Sequence, residues 1–472
     1  MIFNVFYQIL LILVSLLLSL SKANDLVGEA VIDVCKRGKT ATGQAGGILY
    51  GIPNDPAYSP DKAPTIPVDL QLGAGLTMVR AGGAQIPFPG FSSSIAGYEQ
   101  RFESTLENYR SARAQNATFV LLPHDLWGAD GKSPSTVRYP CDNGNCSFYG
   151  EFLDRLTGDL KKNNMTDGLK IDIWNEPDIS LFWPGTQDQY LQSWSYAFRK
   201  YRSALGPSVP LQGPASSSLP ALNNSWWTNY TTYLSLPQNC DVIPDVWSYH
   251  HLFGRYSPNC GNDPVDSRKS LSELLKKYNK LPNDIEVQVN EYGTYDGEQV
   301  PAYTAWFISR FERANITAGR ANWGSGRGLH DDLARLLLPV NEGLGGWTTA
   351  GDWHVLNYYT KTQSGGRKLH NKSTKSKCYD TFATLHPKDR AIHILAGTRG
   401  QSGDYPIIIN GLHTLGVSCV NASIHEIPSN NASTVISPNQ VSNTQIYLNM
   451  YGSITVHLNM TTDSAYTIDL TY

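Results

Sequence analysis

Between Gly47 and Ala350, short apolar runs alternate with amphipathic stretches eight times over, and this alternation leaves few folds open. The apolar runs read as strands at 47–52, 76–80, 117–122, 169–173, 209–214, 245–251, 285–291 and 343–350. The stretches between them carry helical spacing. Tyr98, Phe102, Leu106 and Tyr109 share one face; so do Phe148, Phe152, Leu156 and Leu160. Tyr190, Trp194, Ala197 and Tyr201 mark a helix stopped by Gly206-Pro207, and Leu271, Leu274, Leu275 and Tyr278 mark another. Further helical patterns cover 301–314 and 329–338. Strand and helix in regular succession predict a (β/α)8 TIM barrel. The rival doubly wound sheet would want a glycine-rich phosphate loop after an early strand, and Gly82-Gly83 is no such loop. From about Lys361 helical periodicity stops. Short β-prone runs at 417–424, 435–436, 444–448, 454–458 and 465–470 predict an appended C-terminal β-sandwich, to which 24–39 adds a strand. The expected division is 1–23 as a targeting segment, 24–360 as barrel and 361–472 as β-sandwich.

Two of the strand ends are unusual. Ile171-Asp172-Ile173-Trp174-Asn175-Glu176-Pro177-Asp178 ends an apolar run in an acid, with Pro177 as the stop. Ile285-Glu286-Val287-Gln288-Val289-Asn290-Glu291-Tyr292-Gly293 does the same three β/α units later. A carboxylate at the C-terminal tip of a barrel strand is poorly placed for packing and well placed for chemistry. All tips of a parallel barrel open on one mouth, so Glu176 and Glu291 converge despite their distance in sequence. They are the candidate catalytic pair.

The bulk properties narrow the partners. The 472 residues carry a net charge of -3, with 17% charged and 11% aromatic side chains, so there is no basic excess to serve nucleic acid. Residues 9–20 form an apolar run, and Ser21-Lys22-Ala23 suits signal cleavage, although the n-region lacks a positive charge. A retained signal anchor is the alternative reading. No other stretch is long and apolar enough to span a bilayer, so no stable membrane insertion is expected after cleavage. Ten Asn-x-Ser/Thr sequons, from Asn116 to Asn459, fit a glycosylated secretory protein. Seven cysteines agree with export: Cys141 with Cys146, Cys240 with Cys260, and Cys378 with Cys419 are local candidate pairs, leaving Cys35 single and buried. No Cys-x-x-Cys or compact His ligand spacing is present, so neither metal nor cofactor is expected.

Paired carboxyls suit hydrolysis of a glycosidic bond, where one protonates the leaving oxygen and the other attacks C1 or activates water. Pro177, Trp174 and Ile173 around Glu176 disfavour its ionised form and fit the acid. Glu291 fits the nucleophile, with Arg80 as its candidate cation and Tyr249 or His250 as the group that orients it. Asn175 is placed to meet a sugar 2-hydroxyl. His124 joins the candidate substrate contacts; with Asp125 it could equally cap the next helix. Trp347, and beside it Trp353, could form an aromatic platform, and Trp226-Trp227 an outer subsite.

Trp174-Asn175-Glu176-Pro177-Asp178, Tyr249-His250 and Val289-Asn290-Glu291-Tyr292-Gly293 resemble glycoside hydrolase clan A, and within it family 39, which includes β-xylosidases and α-L-iduronidases. The likeness covers roughly residues 40–360, and a trailing β-sandwich suits the same family. It implies Glu176 as acid/base, Glu291 as nucleophile, Asn175 on the 2-hydroxyl and retention of configuration. The carboxyls should then stand about 5–5.5 Å apart. The expected substrate is an oligo- or polysaccharide, a β-linked glycan of cell wall or matrix. A transglycosylase using the same pair, or an inactive carbohydrate-binding wall protein, are the alternatives. The doubled His250-His251 and the glycine-rich run 324–328 depart from the family pattern.

Overall fold

The structure, a computed structural model, describes residues 28–472 apart from 53–65, 132–136, 257, 279, 324–328, 331, 342–345, 375 and 430–436. The targeting segment, the glycine-rich run 324–328 and the β-prone pair 435–436 lie outside the described residues.

A first strand, β1 (Glu29–Thr40), precedes eight parallel strands that close on themselves. These are β2 (Gly47–Leu49), β3 (Met78–Ala81), β4 (Thr118–Leu121), β5 (Leu169–Asp172), β6 (Leu211–Ser216), β7 (Val246–His251), β8 (Val287–Tyr292) and β9 (Thr317–Arg320). Closure is between β2 and β9, where Gly47 pairs with Gly319. The helices lie where the periodicity placed them, with one exception at 329–338. In Ile95–Ala114 the cap residue Ser94 accepts from Gly97 N–H, and Tyr98, Phe102 and Tyr109 are buried. Gln187–Leu205 is capped by Thr186 and ends at Gly206, whose φ of 74° opens the way to Pro207.

The eighth barrel strand differs from the sequence expectation. It is Thr317–Arg320, not 343–350. Residues Gly346–Thr349 instead form β11 of a hairpin with β10 (Leu337–Asn341), which replaces the helix expected at 329–338. The reason lies inside the barrel. A Cβ on Gly47 or Gly319 would come within 2.6 or 2.5 Å of the Met78 methyl. The closing strand must therefore be glycine where it meets β2, at Gly319, and Thr-Ala-Gly-Arg has no apolar run to read.

The second layer is a nine-stranded, mostly antiparallel sheet. It adds β12 (Arg367–Thr374), β13 (Tyr379–His386), β14 (Ala391–Thr398), β15 (Gly403–Asn410), β16 (Cys419–Ile427), β17 (Asn439–Tyr447), β18 (Ile454–Met460) and β19 (Ala465–Thr471). β1 inserts between β12 and β15, as expected of the N-terminal segment. The four strands from Arg367 to Asn410 were not singled out by the sequence reading. Their alternating residues Ile392, Ile394, Tyr405, Ile407 and Ile409 join Ile32, Val456 and Ile468 in a core separate from that of the barrel.

Helix Pro301–Ala314 carries the sheet. It is buried along most of its length, because the barrel covers one side and β13 and β14 the other. Any Cβ on Gly397 of β14 would meet Trp306 N at 2.4 Å, so the contact is flush. Arg310 bonds Asp263 of the barrel and Asp380 of the sheet, and Arg313 joins it at Asp380.

Disulfides correct two of the expected pairs. Cys141–Cys146 forms as read, but Cys260 bonds Cys378, so Cys240 and Cys419 are free, as is Cys35, which is exposed rather than buried. Sequence proximity favoured local partners; the packing of the loop after β7 onto the sheet chose a partner 118 residues away. Cys260→Ser with Cys378→Ser is expected to lower unfolding free energy by roughly 2–5 kcal/mol, since a long loop is released in the unfolded chain. Denaturant midpoints of oxidised wild type and variant check this; equal midpoints would refute it.

Among the described residues, no helix is long and apolar enough to cross a membrane.

Candidate active site

The C-terminal ends of the barrel strands surround a cavity of about 560 Å³. Glu176 follows β5 by four residues and is 5% exposed. Its backbone sits at φ 40°, a left-handed conformation costly for a residue with a Cβ, and Glu176 N–H is held by Ala215 O at 2.9 Å. Strain of this kind collects at functional sites, where the surroundings enforce it. Glu291 lies on β8 itself. One carboxylate oxygen of each, together with a nitrogen of His250, lies within 4.8 Å of the others.

The two acids have unlike surroundings. Arg80, fully buried at the end of β3, donates to Glu291 Oε1 at 2.5 Å, to Asn175 Oδ1 at 2.8 Å and to Asp172 Oδ2 at 2.8 Å. The guanidinium fork thus ties three strand ends together and gives Glu291 an ion pair. Asp172 also accepts from Asn290 Nδ2 at 2.5 Å and from Ser248 Oγ at 3.4 Å, so the cation is anchored from below. Among the described residues no Lys or Arg pairs with Glu176. Burial pushes its carboxyl up to about 7, and the charge of Asp178 adds to the rise, while Arg80 and His124 act against it. Asp178 is itself fixed by Ser217 and Ser218 N–H groups at 2.8 Å.

His250 stands between the acids. Nδ1 is 2.8 Å from Glu176 Oε1, and Nε2 is 3.8 Å from Glu291 Oε1. Burial pushes the imidazole's pKa down and Arg80 acts in the same direction, while the charges of Glu291, Asp172 and Asp178 act against it. Strand alternation decides which residues of β7 face inward. Ser248 and His250 point into the barrel; Tyr249 and His251 point out. Tyr249, expected at the site, instead bonds Ser267 of the outer helix at 3.0 Å and packs on Trp227. His251 packs against Phe253 and Phe307, and burial pushes it down to about 3.

His124 lines the cavity, with Nε2 at 3.0 Å from Asp125 Oδ1. Asp125 also accepts from Tyr50, whose hydroxyl oxygen takes Gly82 and Ala84 N–H groups. This polar wall brings Tyr50, Asp125 and Asp130 to the site, whereas the sequence points only to His124 and Asp125 there. Trp347 is half-buried in the β10–β11 hairpin against the barrel core and is absent from the cavity wall among the described residues. Trp353 donates to Leu70 O, and Trp227 is buried; among the described residues neither Trp353, expected in the platform, nor Trp226-Trp227, expected as an outer subsite, lines the cavity. Trp323 takes that place: it lines the cavity, is 46% exposed and follows the unread strand β9. Phe182 and Leu181, on the loop after Glu176, supply the apolar wall opposite. Asp172, Asn290 and Trp323 were missed. A buried acid on an apolar strand was the available signal for Asp172.

No protein-family model matches the sequence. A 3-O-β-L-arabinopyranosyl-α-L-arabinofuranosidase of Bifidobacterium pseudocatenulatum is 30% identical over 119 residues, which is 25% of this chain and 11% of that protein. The chain thus matches only a small part of the length of that curated relative. Among solved structures, N2152 from Neocallimastix frontalis superposes with a TM-score of 0.73 at 19% identity, over 94% of this chain and all (100%) of that one. A glucosidase from Croceicoccus marinus gives 0.63 at 13% identity, over 95% of this chain and 100% of its own. Barrel and sheet together, the chain shares the fold of these proteins.

Proposed function

We propose that the chain is a secreted retaining glycosidase of glycoside hydrolase clan A, most like family 39. The observation that carries this reading is one cavity holding two carboxyl groups with an oxygen of each within 4.8 Å of the other, one ion-paired with Arg80 and one buried with no Lys or Arg on it among the described residues. Oxygens this near one another fit a retaining enzyme, whose carboxyl groups stand about 5–5.5 Å apart, better than an inverting one, at about 6.5–9.5 Å. Glu291 attacks the anomeric carbon as Glu176 passes its proton to the departing oxygen. The C–O bond breaks, and a glycosyl ester forms on Glu291. Water then attacks the same carbon, gives its proton to Glu176 and releases Glu291, with configuration retained. Asn175, whose Oδ1 is held by Arg80, keeps its amide N–H groups for the sugar 2-hydroxyl. Trp323 and Phe182 supply surfaces for the apolar faces of sugar rings.

The substrate we infer is a neutral β-linked glycan of wall or matrix, with pentosides first among the candidates because the matching relative is an arabinofuranosidase. A panel of aryl glycosides and wall polysaccharides, read by product mass and by NMR of the first-formed anomer, tests the reading. Release of the anomer opposite to that of the substrate would overturn retention; no release from any member would overturn the activity.

The pH profile is a second test. Glu176 must carry a proton to act as acid, and its pKa lies near 7. Its proton-bearing form is filled below that pH and empties above it, so kcat is expected to fall about tenfold per pH unit on the alkaline side. Glu176→Gln should flatten that limb for substrates with good leaving groups. A limb unchanged in this variant would assign it to another group.

A further inference from the structure

On the barrel's outer wall lies a groove of about 680 Å³ along helix Gln187–Leu205. Its size is that of a small-ligand site, about 300–1,000 Å³. Leu191 and Tyr196 of this helix and Tyr233 from helix Ser225–Leu234 give it an apolar, aromatic lining. Asp188, Gln192 and Arg199 give it hydrogen-bonding groups. Rings beside amide, carboxylate and guanidinium groups are what sugar faces and hydroxyls take.

A sequon stands at the rim. Cys146 lines the groove, and Gly144 O accepts from the lining residue Gln192 Nε2 at 3.1 Å, so Asn145 stands between a residue that lines it and one bonded to it. Asn145 is exposed, and its Oδ1 accepts from Ser147 N–H at 2.9 Å; among the described residues nothing bonds its Nδ2. Two other sequons differ. Asn229 Nδ2 already donates to Gln187 at 3.2 Å. Asn371 is engaged on both amide atoms, by Arg313 and Thr381.

We infer that Asn145 is N-glycosylated and that its glycan lies in this groove, with the first sugars on Tyr196 and Tyr233. The inference rests on the secretory reading above. Asn145 Nδ2 loses a proton and bonds C1 of the first N-acetylglucosamine, which leaves its lipid pyrophosphate donor. The glycan then covers an apolar stripe that water would otherwise wet.

The test is made on the full chain, expressed with its own N-terminal segment in a eukaryotic secretory host. The native protein is digested with a peptide N-glycosidase, and each sequon is followed by peptide mass. Release at Asn145 is expected roughly tenfold slower than at exposed Asn164, the effect of about 1.4 kcal/mol of contact. Tyr196→Ala with Gln192→Ala should restore the rate at Asn145 and leave Asn164 unchanged. Equal release at both sites, or an Asn145 left bare while Asn164 is occupied, would overturn the groove proposal and leave the secretory reading standing. A chain retained in the cell with every sequon bare would overturn both.

Discussion

Glu291→Gln is expected to fold as the wild type does and to lose turnover by roughly 10⁴-fold or more, the scale of removing a covalent nucleophile. The amide is isosteric, but its carbonyl oxygen is a far weaker nucleophile than a carboxylate. Folding should survive because Arg80 keeps Asp172 and Asn175, and because Glu291 lies at the open end of β8. The check is a matched pair of measurements: thermal unfolding, and hydrolysis of an activated aryl glycoside that needs little help from an acid. Wild-type turnover in a folded Glu291→Gln protein would remove the nucleophile from the mechanism. Loss of both fold and activity would move Glu291 from chemistry to structure.

The largest effect on stability is expected at Arg80. Arg80→Met leaves Asp172, which is fully buried, with only Asn290 and Ser248 to stabilise its charge. Breaking one partner of a buried ion pair costs about 3–5 kcal/mol, because the other charge stays in a medium that solvates it poorly. Arg80→Lys should be costly as well, since one ammonium cannot reproduce a planar fork reaching Glu291, Asn175 and Asp172 together. Removing both charges, with Arg80→Met and Asp172→Leu, should recover part of the loss. Denaturant midpoints at constant m-value give the comparison. An Arg80→Met midpoint equal to wild type would show that the network contributes nothing net. Activity should fall in every one of these variants, because Asn175 and Glu291 lose the group that positions them.

The sheet layer bears on the same site through one loop. The segment after β7 supplies Leu252 to the cavity, and it is fastened to the sheet by Cys260–Cys378 and by Arg399, which donates to Gly254 and Gly261 carbonyls. The sheet is thus a brace for part of the mouth as well as a second core.

Much of this was legible in the chain itself, and the line between what was and what was not follows from the physics. Alternation of apolar periods reports which face of each segment is buried, a local property, and it located seven of the barrel strands and the helix Pro301–Ala314. It also placed Glu176 and Glu291 at one mouth, because parallel strands in a closed barrel all end on the same side. Only the tertiary structure decided the rest. The eighth strand was hidden because closure around Met78 demands glycine where β9 meets β2. Tyr249 and His250 are neighbours in sequence, and their opposite faces were set by the pleat of β7. The partner of Cys260, the three acceptors of Arg80 and the exchange of Trp347 for Trp323 are contacts between distant segments. Such pairings depend on how the layers pack, and no period along the chain encodes them.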